Sequence, residues 1–236
     1  SYYKGICVFS DFLNLNEQNI FLSMKSELPA IQYNFFGGFP DAERKMLCFY
    51  GNDRITGQEE IPFPITCIRI SPRNKRFSDS LTHRDFLGAI LSLGIDRSKL
   101  GDILVKEKEG YLFCTSSIHA FITEQLIKVK HTMVNAAVIE QEDFHYDPAL
   151  KEITGTVSSV RLDSILSVAF RSSRSSMAGL IQGGKVYVNS REVVSNSYVL
   201  KDHDVVSVRG YGKFIYIGTS YQTKKGRYSV KVLLYT

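Results

Sequence analysis

What this chain lacks narrows it before anything it contains. Its 236 residues include only four cysteines, Cys7, Cys48, Cys67 and Cys114, and none forms a Cys-x-x-Cys pair. All four lie in apolar, strand-like runs, so reduced, buried thiols are expected in place of a disulfide framework or a zinc site. The five histidines are scattered without ligand spacing, and no metal is expected. No apolar run approaches the ~18 residues that cross a bilayer, so no membrane insertion is expected. No charged-then-apolar leader opens the chain, and a cytoplasmic protein without a signal peptide is expected. A start at Ser1 in place of Met points to truncation or processing. There is no internal repeat, no low-complexity tract and no glycine-rich phosphate loop, and no cofactor is expected.

Hydrophobic residues make up 44% of the chain, enough for the cores of two or three small domains. The net charge of +5 is unevenly placed. Of 29 Lys and Arg, 13 fall in residues 151–236 against 5 Asp and Glu, which leaves 16 against 19 in residues 1–150. Positive charge concentrated in the C-terminal third is the footprint expected of a nucleic-acid contact.

That third is organised by residues 161–210. Leu162, Ile165, Leu166 and Ala169 recur at i, i+3, i+4 and i+7, one face of a helix. Ser172 or Ser173 can cap a second helix whose apolar face is Met177, Leu180 and Ile181, stopped by Gly183-Gly184. The period then drops to two: Val186 and Val188 point one way, Lys185, Tyr187 and Asn189 the other. The polar remainder is mostly cationic, with Arg161, Arg171, Arg174, Lys185, Arg191 and Arg209. Such charges on one side of two helices and a small sheet would offer a site to a phosphate backbone.

The pattern Arg161-Leu162-Asp163, Ser173-Arg174, Leu180-Ile181, Gly184, Val186-x-Val188-Asn189 and Asp204-x-Val206-x-Val208 resembles the S-four-type, or alpha-L, RNA-binding module. Thr156 to Asp163 and Arg209-Gly210-Tyr211-Gly212-Lys213-Phe214 resemble the YlmH family more specifically. This chain has Met177 where that module usually has a small residue. Ser190 and His203 stand where it commonly has glycine.

The rest of the chain reads as α+β. Residues 1–62 suggest a small N-terminal α/β domain, with a strand near Ile6 to Phe9 and a helix whose face is Ile20, Phe21, Met24 and Leu28, ended by Pro29. The turn Gly37 to Arg44 follows, with Arg44 expected to pair with Glu43 or Asp41 or to touch RNA. Residues 63–142 alternate strand, helix, strand, strand, helix, strand, the split βαβ, ferredoxin-like plan that RRM-like domains share. Its hairpin is placed across Glu109-Gly110, and a helix from Ser116 turns Ile118, Phe121, Ile122 and Leu126 inward. Thr82-His83-Arg84-Asp85 and Gly101-Asp102-Ile103 carry the family resemblance here, and Arg84 is a secondary RNA candidate. Residues 141–158 read as a linker. The S-four-type domain is placed at 156–236, closed by two strands joined across Lys224-Lys225-Gly226.

Several enzyme signatures fail on inspection. His83-Arg84-Asp85 matches a kinase catalytic triplet, but Ile90 stands where the metal-binding Asn is needed. Arg161-Leu162-Asp163 is similar to the aspartate loop of pseudouridine synthases, yet Val160 replaces their glycine and no room remains for their catalytic domain. Glu59-Glu60 reads as a solvated pair. The expectation is a non-enzymatic, monomeric binder of structured RNA through Arg161, Arg171, Ser173, Arg174, Lys185, Asn189, Arg209 and Lys213. The resemblance implies rRNA or tRNA on the large ribosomal subunit, in quality control or rescue of stalled subunits, with a link to cell division. The alternatives are an RNA-modifying enzyme with a cleft at Gly37 to Arg44, and a protein-interaction adaptor.

Overall fold

A computed structural model describes residues 7–24, 27, 31–51, 61–140, 144, 145 and 147–235. Leu28, Pro29 and Glu59-Glu60 lie outside them. The first elements are β1 (Val8–Leu13), α1 (Leu15–Met24), β2 (Gln32–Phe36) and β3 (Lys45–Tyr50). The Asn14 side chain accepts from the backbone N–H groups of Asn16 and Glu17, and Glu17 accepts from that of Asn14 at 2.6 Å. This reciprocal cap starts α1. β3 is the middle strand of an antiparallel sheet ordered β1-β3-β2.

Next come β4 (Ile65–Pro72), α2 (His83–Leu91), β5 (Leu100–Lys106), β6 (Glu109–Thr115), α3 (His119–Gln125), β7 (Lys128–Val129) and β8 (Thr132–Ile139). The sheet order β5-β6-β4-β8-β7 is the expected ferredoxin-like arrangement, with one short strand added at its edge. Ile68, Ile70, Leu112 and Val134 from this sheet share a core with Phe86, Ile90 and Ile122 from the two helices. Two local expectations are corrected. The hairpin turns at Glu107 and Lys108, both at positive φ. Gly110 lies inside β6 because Phe86 packs against it: a Cβ there would stand 2.8 Å from the ring. α3 begins at His119, and Phe121 is exposed where it was expected inward.

The opposite face of this sheet is also buried. Phe113 and Cys67 share a cluster with Phe12, Phe39, Ala42 and Met46, and Tyr111 and Phe144 pack against it. Phe39 and Phe144 stand 4.9 and 5.0 Å from the Phe113 ring centre. The surface on which an RRM stacks bases is thus covered by the chain's own N-terminal segment. The two sheets of this region belong to one compact unit, Ser1–Glu17 with Met24–Tyr146, and are not divided at residue 62.

The second unit is Gln18–Ser23 with Asp147–Thr236. It holds β9 (Leu150–Val157), α4 (Leu162–Ala169), α5 (Arg174–Gln182), β10 (Val186–Val188), β11 (Arg191–Glu192), β12 (Val205–Val208), β13 (Gly212–Gln222) and β14 (Tyr228–Tyr235). Its antiparallel sheet runs β11-β10-β12-β13-β14-β9. The C-terminal part of the expected linker, from Leu150 to Val157, is therefore strand: β9 pairs with β14 along its whole length. Its polarity misleads because it is an edge strand with one wet face, while Ile153 and Val157, four residues apart, point into the core.

In the first unit Glu109 is a buried carboxylate. It accepts from Arg69 Nε at 2.8 Å and Lys75 Nζ lies 2.8 Å away. The Arg69 hydrogen bond, joined by Lys75, holds its pKa down to about 2 from 4.5. A depressed carboxylate pKa stabilises the fold above the ordinary range and loses that contribution as pH falls through the folded value. Chemical denaturation followed by circular dichroism should show this stability fading from about pH 4.5 toward 2. Glu109→Gln should be less stable at neutral pH and show a flatter acid limb.

Candidate nucleic-acid interface

The C-terminal helix pair is seated by its apolar faces. Leu162, Ile165, Leu166, Met177 and Ile181 share one core with Val186, Val188, Val206 and Phe214. Met177 is fully buried there, so the position usually small accommodates a long flexible side chain. α4 starts under two backbone carbonyls from a distant loop: the N–H of Leu162 donates to Tyr198 at 2.9 Å and that of Asp163 to Asn196 at 3.4 Å. α5 starts at Ser173, whose hydroxyl accepts from the N–H of Ser176 at 3.2 Å.

Between the two helix starts lies Asp163, a carboxylate only 6% exposed. Arg174 Nη2 donates to its Oδ2 at 2.7 Å, and Arg161 Nε lies 3.3 Å from its Oδ1. The Arg174 contact is a charge-assisted hydrogen bond. The Arg161 contact is looser, and its Nε makes no hydrogen bond. Both arginine side chains remain about half exposed, at 42% and 49%. A buried anion thus holds two guanidinium groups by one edge each and leaves their remaining donors to solvent. Ser173 is exposed beside Arg174, and exposed Arg171 sits in the α4–α5 turn at φ 50°.

The strand register sends the other cations elsewhere. Val186 and Val188 face the helices, so Lys185 and Tyr187 face away from them. The N–H of Arg209 donates to the carbonyl of Lys185, and its guanidinium lies 5.6 Å from the Tyr187 ring centre. Lys185 and Arg209 are exposed. Lys213, half-buried, sets its ammonium 4.2 Å from the Tyr235 ring centre. The single cationic side expected from the sequence is therefore two: arginines at the helix starts, and a Lys185–Arg209 pair on the far face of the sheet.

Tyr187, on the strand face opposite Val186 and Val188, is 1% exposed and serves packing. Two further expectations change. Asn189 is exposed, but its amide is engaged within the module: Nδ2 donates to Asp204 at 2.8 Å, and Oδ1 accepts from Val205 N–H at 3.0 Å. Arg44 is occupied by carbonyls, donating to Leu100 and Phe12 at 2.8 Å each and to Arg97 at 3.2 Å. Asp102, not Glu43 or Asp41, anchors that turn by accepting from the N–H groups of Glu43 and Arg44. Phe39 and Ala42 of that turn are buried. Arg84 is exposed in the first turn of α2. Cys48, Cys67 and Cys114 are buried thiols, each raised to about 12 chiefly by burial. Among the described residues no group of three or more His, Cys, Asp or Glu is placed to hold a metal. Among them also, no helix is long and apolar enough to cross a membrane.

At a helix start, Asp163 has a nearby Arg or a backbone N–H as its natural partner, and an ion pair of Arg174 with Asp163 or Asp204 is equally legible in the sequence; that one carboxylate serves both arginines is not. The spacing of residues 161, 163 and 174 becomes a clamp only once α5 folds back on α4. The carbonyls that cap α4 left no signal at all, since any residue could supply them.

Two short helices seated on an antiparallel sheet, with arginines at their starts, define an RNA-binding module of the S-four type. The family model for the S4 domain matches residues 160–206, and the "Putative RNA-binding domain in YlmH" matches residues 59–143. A Bacillus subtilis (strain 168) protein named ribosome-associated protein quality control protein P2 is 32% identical over 225 residues, covering 94% of this chain and 84% of that protein. The chain belongs to the YlmH family of RNA-binding proteins. A solved structure of cell division protein ylmH from Streptococcus pneumoniae aligns with 61% of this chain and 85% of its own, at 22% identity and a TM-score of 0.46.

Two outcomes are expected. Asp163→Asn should weaken RNA binding in fluorescence anisotropy although it adds positive charge, because the guanidinium groups lose their anchor. Asn189 and Ser190 close the β10–β11 hairpin at φ 48° and 66°, a turn with both central residues left-handed, and His203 stands at 68°. Ser190→Gly and His203→Gly should each raise stability by roughly 0.5–1 kcal/mol, read from denaturation midpoints.

Proposed function

We propose that this protein is a non-enzymatic, monomeric, cytoplasmic binder of structured rRNA or tRNA, acting on the large ribosomal subunit in quality control or rescue of stalled subunits. The observation that carries this reading is the clamp at Asp163. It presents two half-exposed guanidinium groups at adjacent helix starts, where they can meet phosphate oxygens. Arg171 and Ser173 flank it. Lys185 and Arg209 form a second, weaker contact from the far face of the sheet, while Lys213 and Asn189 hold the module's own shape. A-form RNA leaves little sequence to read in its deep groove, so recognition rests on shape and backbone. The name of the Bacillus subtilis relative supports the ribosomal setting. A part in cell division belongs to the proposal on family grounds alone.

Arg174→Gln combined with Lys185→Gln should lower the slope of log affinity against log salt by about 1.4–1.8, two phosphate contacts' worth. The same variant should leave the ribosomal fractions of a sucrose gradient at physiological salt. An unchanged slope with unchanged co-sedimentation would overturn the assignment.

A further inference from the structure

Residues 205–236 carry six cations, Arg209, Lys213, Lys224, Lys225, Arg227 and Lys231, and no Asp or Glu at all. Three of the six lie in the connection between β13 and β14. β12 pairs with β13 only as far as Ile215, so from residue 217 onward β13 has β14 alone as its strand partner. At this end the sheet narrows to β13, β14 and β9, with β13 at its edge. β9 accompanies β14 up to the Val157–Tyr228 pair.

The tip of this hairpin is built. The N–H of Thr223 donates to the Arg227 carbonyl at 2.7 Å, and that of Gly226 to the Thr223 carbonyl at 2.8 Å. Gln222 Nε2 donates to the Gly226 carbonyl at 3.0 Å, and the Arg227 N–H to Thr223 Oγ1 at 3.0 Å. Arg227 Nη2 ties the tip to the Thr156 carbonyl of β9 at 2.8 Å. These hydrogen bonds all come from the chain itself, and Lys224 and Lys225 stand exposed on the turn. Next to it Tyr221 is 63% exposed, and Tyr228 is 37% exposed. Lysines alone would be explained as guards that stop an edge from pairing with another chain. That use does not require an aromatic ring in water beside them. Lys231 is paired with Glu152 of β9 at 2.6 Å, which leaves the tip cations; an exposed aromatic flanked by such cations has the composition that grips unpaired nucleotides, by stacking on any base and neutralising the phosphates either side.

We propose that the β13–β14 tip is a second RNA contact, in which Tyr221 stacks on an unpaired base while Lys224 and Lys225 meet the adjoining phosphates. It lies outside the segment matched as an S4 domain, residues 160–206. It would let the protein prefer folded RNA bearing an extruded or looped nucleotide over plain duplex. This inference rests on the RNA-binding reading above.

The test uses the full chain and two fluorescent RNAs, a stem–loop with unpaired adenosines and a blunt duplex of equal length. Tyr221→Ala should bind the stem–loop at least about five-fold more weakly and the duplex as before. Tyr221→Phe should match the parent, since stacking needs the ring and not the hydroxyl. Lys224→Gln with Lys225→Gln should lower the salt slope for the stem–loop by about 1.4–1.8. If Tyr221→Ala binds both RNAs like the parent, or Tyr221→Phe loses as much as Tyr221→Ala, the tip contact is overturned. Arg174→Gln with Lys185→Gln, run alongside, separates the two claims. Loss of both RNAs by that variant beside a silent Tyr221→Ala leaves the contacts proposed above, at the helix starts and at Lys185, standing without the tip. A parent chain that binds neither RNA removes both.

Discussion

In the C-terminal unit, the apolar faces of α4 and α5 must be buried on one side of a sheet, and a strand has only two sides. Val186, Val188, Val206 and Phe214 meet that demand. Everything at odd steps from them is sent to the other face, including Lys185 and Arg209. The charges therefore sort by structural period: helix-start arginines on one side, strand cations on the other. No rearrangement of surface side chains could merge them without turning the hydrophobic face outward.

Asp163 is the point at which packing and charge meet. A buried carboxylate is costly unless it is paired and hydrogen-bonded, and here two arginines and the Ser164 N–H compensate it. The arrangement also limits the arginines' freedom, so less side-chain entropy is left to be lost when a phosphate arrives. A negative charge at the centre of a cationic site is then a positioning device, with its repulsion of RNA reduced by burial between two cations.

The first unit shows the opposite use of a fold associated with RNA. Its ferredoxin-like sheet has the right topology, yet aromatic residues that could stack bases stack on one another: Phe113 with Phe39 and Phe144, and Tyr111 with Phe144. Scaffold and binding mode are separable, and side-chain burial decides which is inherited.

By itself the sequence determined what depends on local spacing. The α4 and α5 faces, the change of period at Val186, the capped start of α2 at Thr82 and the strand–helix alternation from Ile65 were legible because propensity and period act over a few residues. The excess of cations after residue 150 was also visible, since charge needs only counting. Tertiary structure alone decided which polar groups reach solvent. The Asn189 amide was taken up by Asp204, Tyr187 was covered, Arg44 was taken up by three carbonyls from two separate segments, and β9 became an edge strand within the expected linker. Each outcome depends on partners 15 or more residues away. A polar side chain's fate is set by whichever donor or acceptor the fold brings beside it, and that neighbour carries no mark in the residues around it.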